Sequence, residues 1–237
     1  MRKSAFAICG IIALTLVTRQ TFSDPPETPR VGKLPAGKLL FLGNSITLHG
    51  PAPKIGWTGN WGMAATDAER DYVHLVTQAV KKATGKSPET KVANIADFER
   101  RYADYDVAKS LKAELAFRSD IVIVAIGENV PGLANAKKKQ FAASFARLLA
   151  ALKANGNPAI FVRSSFWADP AKDGIMKKAC EEAGGTFVDI GALGKDETNF
   201  ARAERKIDHA GVAAHPGNKG MEKVADAIWT AISKRAE

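Results

Sequence analysis

One hydroxyl near the start of the chain and one imidazole near its end are the groups best suited to chemistry in this sequence. The hydroxyl is Ser45, in FLGNSITLHG (41–50), where an apolar run of Leu39, Leu40, Phe41 and Leu42 stops at Gly43 and Asn44-Ser45 follow. A serine attacks poorly until a base takes its proton, so a histidine decides whether this turn is punctuation or a nucleophile. The chain has four: His49, His74, His209 and His215. His74 lies in DYVHLVTQAV, a helical pattern, and reads as structural. His49 is only four residues from Ser45 and suits the lining of a site better than its base. His215, in AAHPGNKGM just before the last amphipathic stretch, is the expected base. A serine activated by a histidine would perform acyl transfer.

The elements that must bring these two together follow from the hydrophobic pattern. Short apolar runs at 38–43, 90–95, 120–126, 158–163 and 186–190 alternate with helical patterns. Several runs are too uniformly apolar to have one face in water, as expected of parallel strands covered on both faces. Phe141, Phe145, Leu148, Leu149 and Leu152 predict a helix over 137–153. Asp169-Pro170 reads as a cap followed by a proline at the first helical position, with Gly184-Gly185 closing the segment. Met221, Val224, Ala225, Ile228 and Ile232 form a stripe over 219–235. The alternation predicts one α/β/α sandwich with about five parallel strands and no dividing linker. Such sheets bind ligands beyond the carboxyl ends of their strands, so Ser45, Glu128-Asn129 and the segment after the fifth strand are expected on one edge.

Three stretches carry a family resemblance. FLGNSIT is similar to the first block of the SGNH or GDSL-type hydrolases, a Gly-Asp-Ser turn after the first strand. AIGENV (125–130) resembles their Gly-x-Asn block after the third strand. AHPGNKGMEKVADAI resembles their His-Pro loop before the terminal helix. The three are in register across nearly the whole domain, and the resemblance implies a flavodoxin-like α/β/α fold and serine esterase activity. It implies Ser45 as nucleophile and, through its backbone N–H, as one oxyanion donor. Asn129 would be a second donor through its amide, and His215 the general base.

The chain departs from that pattern in three places. Asn44 stands where the family has aspartate. ANIADFERRY (93–102) has no glycine where the family offers a second-block N–H, so no third oxyanion donor is assigned. Val212 stands three before His215 in place of the usual acid. Asp208, seven residues upstream, is the expected acid, with Asp189 or a backbone carbonyl as alternatives. Asn44, His49, Trp57 and Trp61 are expected to line the substrate, the two tryptophans forming an apolar wall in the long loop after the first strand. Glu99 with Arg100-Arg101 reads as a local ion-pair cluster.

The rest of the chain bounds the setting. Arg2 and Lys3 precede an apolar run from Ala5 to Val17, the order of a secretory signal over 1–23. Residues 24–37, rich in proline, read as an extended leader, and 38–237 as the hydrolase-like domain. Cleavage would remove Arg2, Lys3 and Arg19 from a formal charge of +9 and leave +6, a balance that bears on association rather than fold. Only Cys180 would remain, so the domain must be held by its core. No metal-ligand spacing, dinucleotide fingerprint, Walker loop or Gly-x-Ser-x-Gly elbow occurs. No cofactor, nucleic-acid partner or later membrane span is expected, and the oligomeric state is open. The expected function is an exported esterase of small acyl, above all acetyl, groups on carbohydrate. A non-catalytic binding module of the same fold and an acyltransferase using the same residues are the alternatives.

Overall fold

The computed structural model describes residues 28–237. The signal segment expected over 1–23, and the first residues of the leader, lie outside them. From Thr28 onward the leader is a small antiparallel hairpin, β1 (Arg30–Val31) with β2 (Leu34–Pro35). Its Val31 and Ala36 are buried in the core, and Lys33 N–H donates to the Ala236 carbonyl. The hairpin is thus part of the domain's packing.

Five parallel strands follow: β3 (Lys38–Gly43), β4 (Glu89–Asn94), β5 (Ile121–Ala125), β6 (Ala159–Arg163) and β7 (Thr186–Val188), in the order β4-β3-β5-β6-β7. The helices are, in chain order, α1 (Tyr72–Thr84), α2 (Ala96–Arg101), α3 (Val107–Ser110), α4 (Lys112–Ala116), α5 (Asn135–Ala154), α6 (Pro170–Glu182), α7 (Ala201–Glu204), α8 (Ala210–Ala213) and α9 (Asn218–Ala236). Successive strand residues point to opposite faces, and both faces are covered. Leu39, Phe41, Ile121, Ile123 and Phe161 pack with Val73, Val76 and Val80 of α1 and Val224, Ile228 and Ile232 of α9. Leu40, Leu42, Val122, Val124 and Val162 pack with Phe98, with Phe141, Phe145 and Leu148 of α5, and with Met176 and Cys180 of α6. The architecture is the single α/β/α sandwich that the uniformly apolar strands predict. The Asp169 carboxylate caps α6 by accepting from Ala171 and Lys172 N–H, ahead of the predicted proline.

Register sets the site. Gly43 lies between Asn94 and Ala125, so β3, β4 and β5 end level with one another. The strand order reverses between β3 and β5, and the loops leaving those two strands open a crevice there. Gly43 must be glycine: a Cβ would fall 1.8 Å from Thr47 Oγ1, because the chain folds back on itself directly after the strand.

Candidate active site

Ser45 sits in the turn after β3, with Thr47 and Leu48 N–H both donating to the Asn44 carbonyl. His215 sits in the loop between α8 and α9. That loop is tied down on both sides: His215 N–H donates to Val212 O, and His215 O accepts from Ala201 N–H. The two side chains meet across the crevice, with Ser45 Oγ 2.8 Å from His215 Nε2. The other ring nitrogen, Nδ1, lies 2.7 Å from the Gly211 carbonyl oxygen. A carbonyl only accepts, so Nδ1 carries the proton and Nε2 presents its lone pair to the hydroxyl. Burial pulls the imidazole below its ordinary value of 6.5, opposed by the Gly211 hydrogen bond and the charge of Glu128. The ring is therefore neutral at neutral pH, as a general base must be.

The acid expected at Asp208 is not the partner of this ring. Asp208 is exposed and points into a neighbouring hollow with Lys54 and Lys206. The one-turn helix α8 instead brings the Gly211 carbonyl, four residues before His215, under Nδ1. Asp189 accepts from Ser164 Oγ and Gly191 N–H, holding the turn after β7. The arrangement is a Ser-His pair oriented by main chain. Where an aspartate orients the ring, its amide costs about 10⁴ in kcat. Asp208→Asn is here expected to change kcat on a small acetate ester by less than about threefold, which steady-state kinetics checks.

Beside Ser45 stands Asn129, in the turn after β5. Gly127 opens that turn at φ +126, where a Cβ would also strike Ser165 Oγ, so only glycine fits. Asn129 Nδ2 donates one hydrogen to Glu99 Oε2 at 2.8 Å; an amide has two, and Asn129 lines the same cavity as Ser45. The Ser45 N–H is not engaged in any hydrogen bond among the described residues. At the position lacking the glycine, Ala96 N–H is taken by Asn94 Oδ1. Ser45 and Asn129 therefore line one cavity, the Ser45 N–H with no hydrogen-bond partner among the described residues and the Asn129 amide with a second hydrogen beyond the one given to Glu99.

Beneath these groups lies a buried polar cluster that the ion-pair reading of Glu99 missed. The Glu99 carboxylate, fully buried, accepts from Gly127 N–H (2.7 Å), Asn129 N–H (3.0 Å), Asn129 Nδ2 and Asn44 Nδ2 (3.2 Å). Glu128 Oε2 accepts from the same Asn44 amide at 2.7 Å, while its Oε1 takes Arg163 Nη1 (2.6 Å) and Phe166 N–H (2.8 Å). Burial, and then the charge of Glu128, push Glu99 above the usual carboxylate range. Burial acts the same way on Glu128, but the Arg163 guanidinium and the hydrogen bonds outweigh it and hold Glu128 low. Glu99 acts as a clamp on the Asn129 turn. The arginines beside it go elsewhere: Arg101 pairs with Asp97, and Arg100 reaches the cavity, its Nη2 3.4 Å from Asn129 Oδ1.

Three of the four expected substrate-lining residues need correction. Asn44 is fully buried and belongs to the cluster just described. Trp57 is buried, its indole N–H donating to His49 O, and Trp61 donates to Ala65 O. The two rings pack edge-to-face at 5.6 Å with Gly59 between them, so they hold the long loop together rather than wall a ligand. His49 does line the cavity. The aromatic beside the reacting groups is Trp167, half-exposed at 36% after β6, with its ring 5.4 Å from that of His215. Its place beyond the carboxyl end of a strand was the available signal.

The cavity at Ser45 measures about 300 Å³ and is lined by Met63, Ala96, Arg100, Asn129, Val212 and His215 among others. No group of three or more His, Cys, Asp or Glu among the described residues is placed to hold a metal ion. No described helix is long and apolar enough to cross a membrane.

Neither a protein-family model nor a curated protein matches this sequence. Solved structures do resemble it. A GDSL-like lipase from Bacteroides ovatus aligns at TM-score 0.54 with 14% identity, over 84% of this chain and 99% of that one. A two-domain esterase active on acetylated mannans aligns at 0.53 with 17% identity, over 84% of this chain and 50% of its own. An acetyl xylan esterase aligns at 0.51 with 16% identity, over 82% and 98%. This chain spans about half the length of the mannan esterase. The chain has the SGNH or GDSL-type hydrolase fold.

Proposed function

We propose that this protein is an exported serine esterase that removes small acyl groups, above all acetyl, from carbohydrate by way of an acyl-enzyme on Ser45. The observation that carries the reading is the 2.8 Å approach of Ser45 Oγ to the lone pair of His215 Nε2, with Nδ1 anchored on Gly211 O. His215 takes the hydroxyl proton as Ser45 Oγ bonds to the ester carbonyl carbon. The Ser45 N–H and the free hydrogen of the Asn129 amide hold the developing oxyanion, a type of donor worth about 2.7–4 kcal/mol each. Protonated His215 then gives its proton to the leaving sugar oxygen as the C–O bond breaks. A water molecule, deprotonated by the same nitrogen, releases the acid and restores the serine.

The cavity of about 300 Å³ supports a small acyl group. Trp167, a half-exposed indole beside His215, offers an apolar face suited to a sugar ring. Solved neighbours of this fold act on acetylated mannan and acetyl xylan, and the pattern of residues 1–23 supports export. Phenyl acetate hydrolysis by residues 28–237, and its loss in Ser45→Ala, tests the reading; equal rates in the two proteins would overturn it.

The lowered His215 pKa gives a pH test. The base form is the neutral ring, so kcat/KM holds level down through neutrality and falls only as pH drops through a value below 6.5. A profile of kcat/KM for phenyl acetate is expected to show its acid limb there. A limb centred above 6.5 would contradict the desolvated environment of the ring.

A further inference from the structure

The walls of the reacting cavity carry charge of only one sign. Of the residues around Ser45, those able to bear charge are Arg100, His49, His209 and His215, and no carboxylate is among them. Arg100 is exposed, and no Asp or Glu oxygen among the described residues lies within 4.0 Å of its guanidinium. Its neighbour Arg101 is paired with Asp97, so an available carboxylate has been spent one residue along. Among the described residues its one side-chain hydrogen bond is the 3.4 Å approach to Asn129 Oδ1, which leaves most of the guanidinium's donors free beside the cavity.

The charge continues beyond the cavity. A second hollow of about 580 Å³ adjoins it, sharing Ile55 and His209 as common wall. Lys54 and Lys206 line that hollow against the single carboxylate of Asp208, and neither lysine is in an ion pair among the described residues. The two hollows thus meet at a common wall, with Arg100 and Ser45 lining one and the two lysines lining the other. Spaced cations without partners suit a ligand that repeats its negative charge along its length.

We infer that the alcohol part of the substrate is an anionic glycan, in which sugar carboxylates or sulfates near the acylated residue engage Arg100 on one side of Ser45 and Lys54 with Lys206 on the other. The inference rests on the esterase reading and narrows its substrate. Guanidinium geometry favours a planar carboxylate, as in a uronic acid, bound through two parallel hydrogen bonds.

The test compares kcat/KM on acetylated oligogalacturonate, acetylated mannan oligomers and phenyl acetate, for the wild type, Arg100→Gln and Arg100→Glu. The wild type is expected to prefer the oligogalacturonate, and the preference to shrink in about 0.5 M salt. Arg100→Gln is expected to cut the ratio of oligogalacturonate to mannan by about tenfold, the scale of a charged hydrogen bond, and Arg100→Glu to cut it further. Inhibition by unacetylated oligogalacturonate or by a sulfated oligosaccharide then identifies the source of the anion, either of which fits. Equal efficiency on the two glycans in the wild type, or an unaltered ratio in both variants, overturns the inference while leaving the esterase intact. So does an equal loss on all three esters, which would place Arg100 at the reacting carbonyl. Absence of Ser45-dependent phenyl acetate hydrolysis is the different result that removes the esterase reading itself.

Discussion

Ser45→Ala is expected to lower kcat on phenyl acetate by on the order of 10⁴- to 10⁶-fold, the range seen when a nucleophile acting as one unit with its base is removed. The size follows from the geometry. Ser45 Oγ is held 2.8 Å from His215 Nε2, the ring is fixed in one tautomer by Gly211 O, and in the proposed mechanism the Ser45 N–H and the Asn129 amide hold the oxyanion. Without the hydroxyl, those donors and the bound substrate remain, but only water is left to attack. His215→Ala should fall to the same floor, and the double variant no further, because neither group works alone. Ser45 is only partly buried and the one hydrogen bond of its hydroxyl among the described residues is to His215, so thermal melting of Ser45→Ala should stay close to that of the wild type. Single-turnover and steady-state rates of the three variants, measured beside their melting curves, check the claim. A double variant far slower than either single would mean that the two residues act separately.

The architecture was open to reading because its signal is repeated. Every residue of β5 is apolar, from Ile121 to Ala125, and the structure buries all five between two helical layers. Ser45 and His215 were legible from their places in the chain order: Ser45 in the turn that leaves the first long strand, His215 in the loop that enters the last helix. What the sequence concealed was direction. Trp57 and Trp61 stand in a glycine-rich loop after β3, where an aromatic can face a ligand or the protein. They face inward because the His49 and Ala65 carbonyls satisfy their N–H groups. Trp167 was passed over because RSSFWADP signals a helix cap, and the cap masked an aromatic at the reactive edge. Glu99 beside two arginines has the local look of a surface ion pair, yet its partners are Gly127 and Asn129, some thirty positions on. The support of His215 left no local mark at all, since any residue can supply a carbonyl and only the turn of α8 puts that of Gly211 in place.

Asn44→Asp would restore the Gly-Asp-Ser spelling of the first family block, and it is expected to damage this protein more than any other near-isosteric change at the site. The reason lies under the serine. Asn44 Nδ2 is the shared donor between two buried carboxylates, 3.2 Å from Glu99 Oε1 and 2.7 Å from Glu128 Oε2. An aspartate replaces that donor with an acceptor and sets a third carboxyl among groups neutralised by one guanidinium, that of Arg163. If it ionises, three buried carboxylates face one cation; if it takes a proton, it can donate to only one of its two neighbours. Breaking a buried charge network of this kind costs about 3–5 kcal/mol, or roughly 6–20 °C of melting temperature for a domain of this size. The sign of its pH dependence is set by the crowding. Glu99 already binds its proton more tightly than an unfolded glutamate does, and a third carboxyl strengthens that tendency. The variant's folded state then holds more protons than its unfolded state, so its deficit is full above the raised folded pKa and shrinks as pH falls through it. Asn44→Ala removes the donor without adding charge and should lie between the two proteins at neutral pH. Melting curves of the three at about pH 5 and about pH 8 decide the matter. An Asn44→Asp protein that melts with the wild type at the higher pH, or whose deficit grows toward acid, would show that the shared amide is not what keeps Glu99 and Glu128 together.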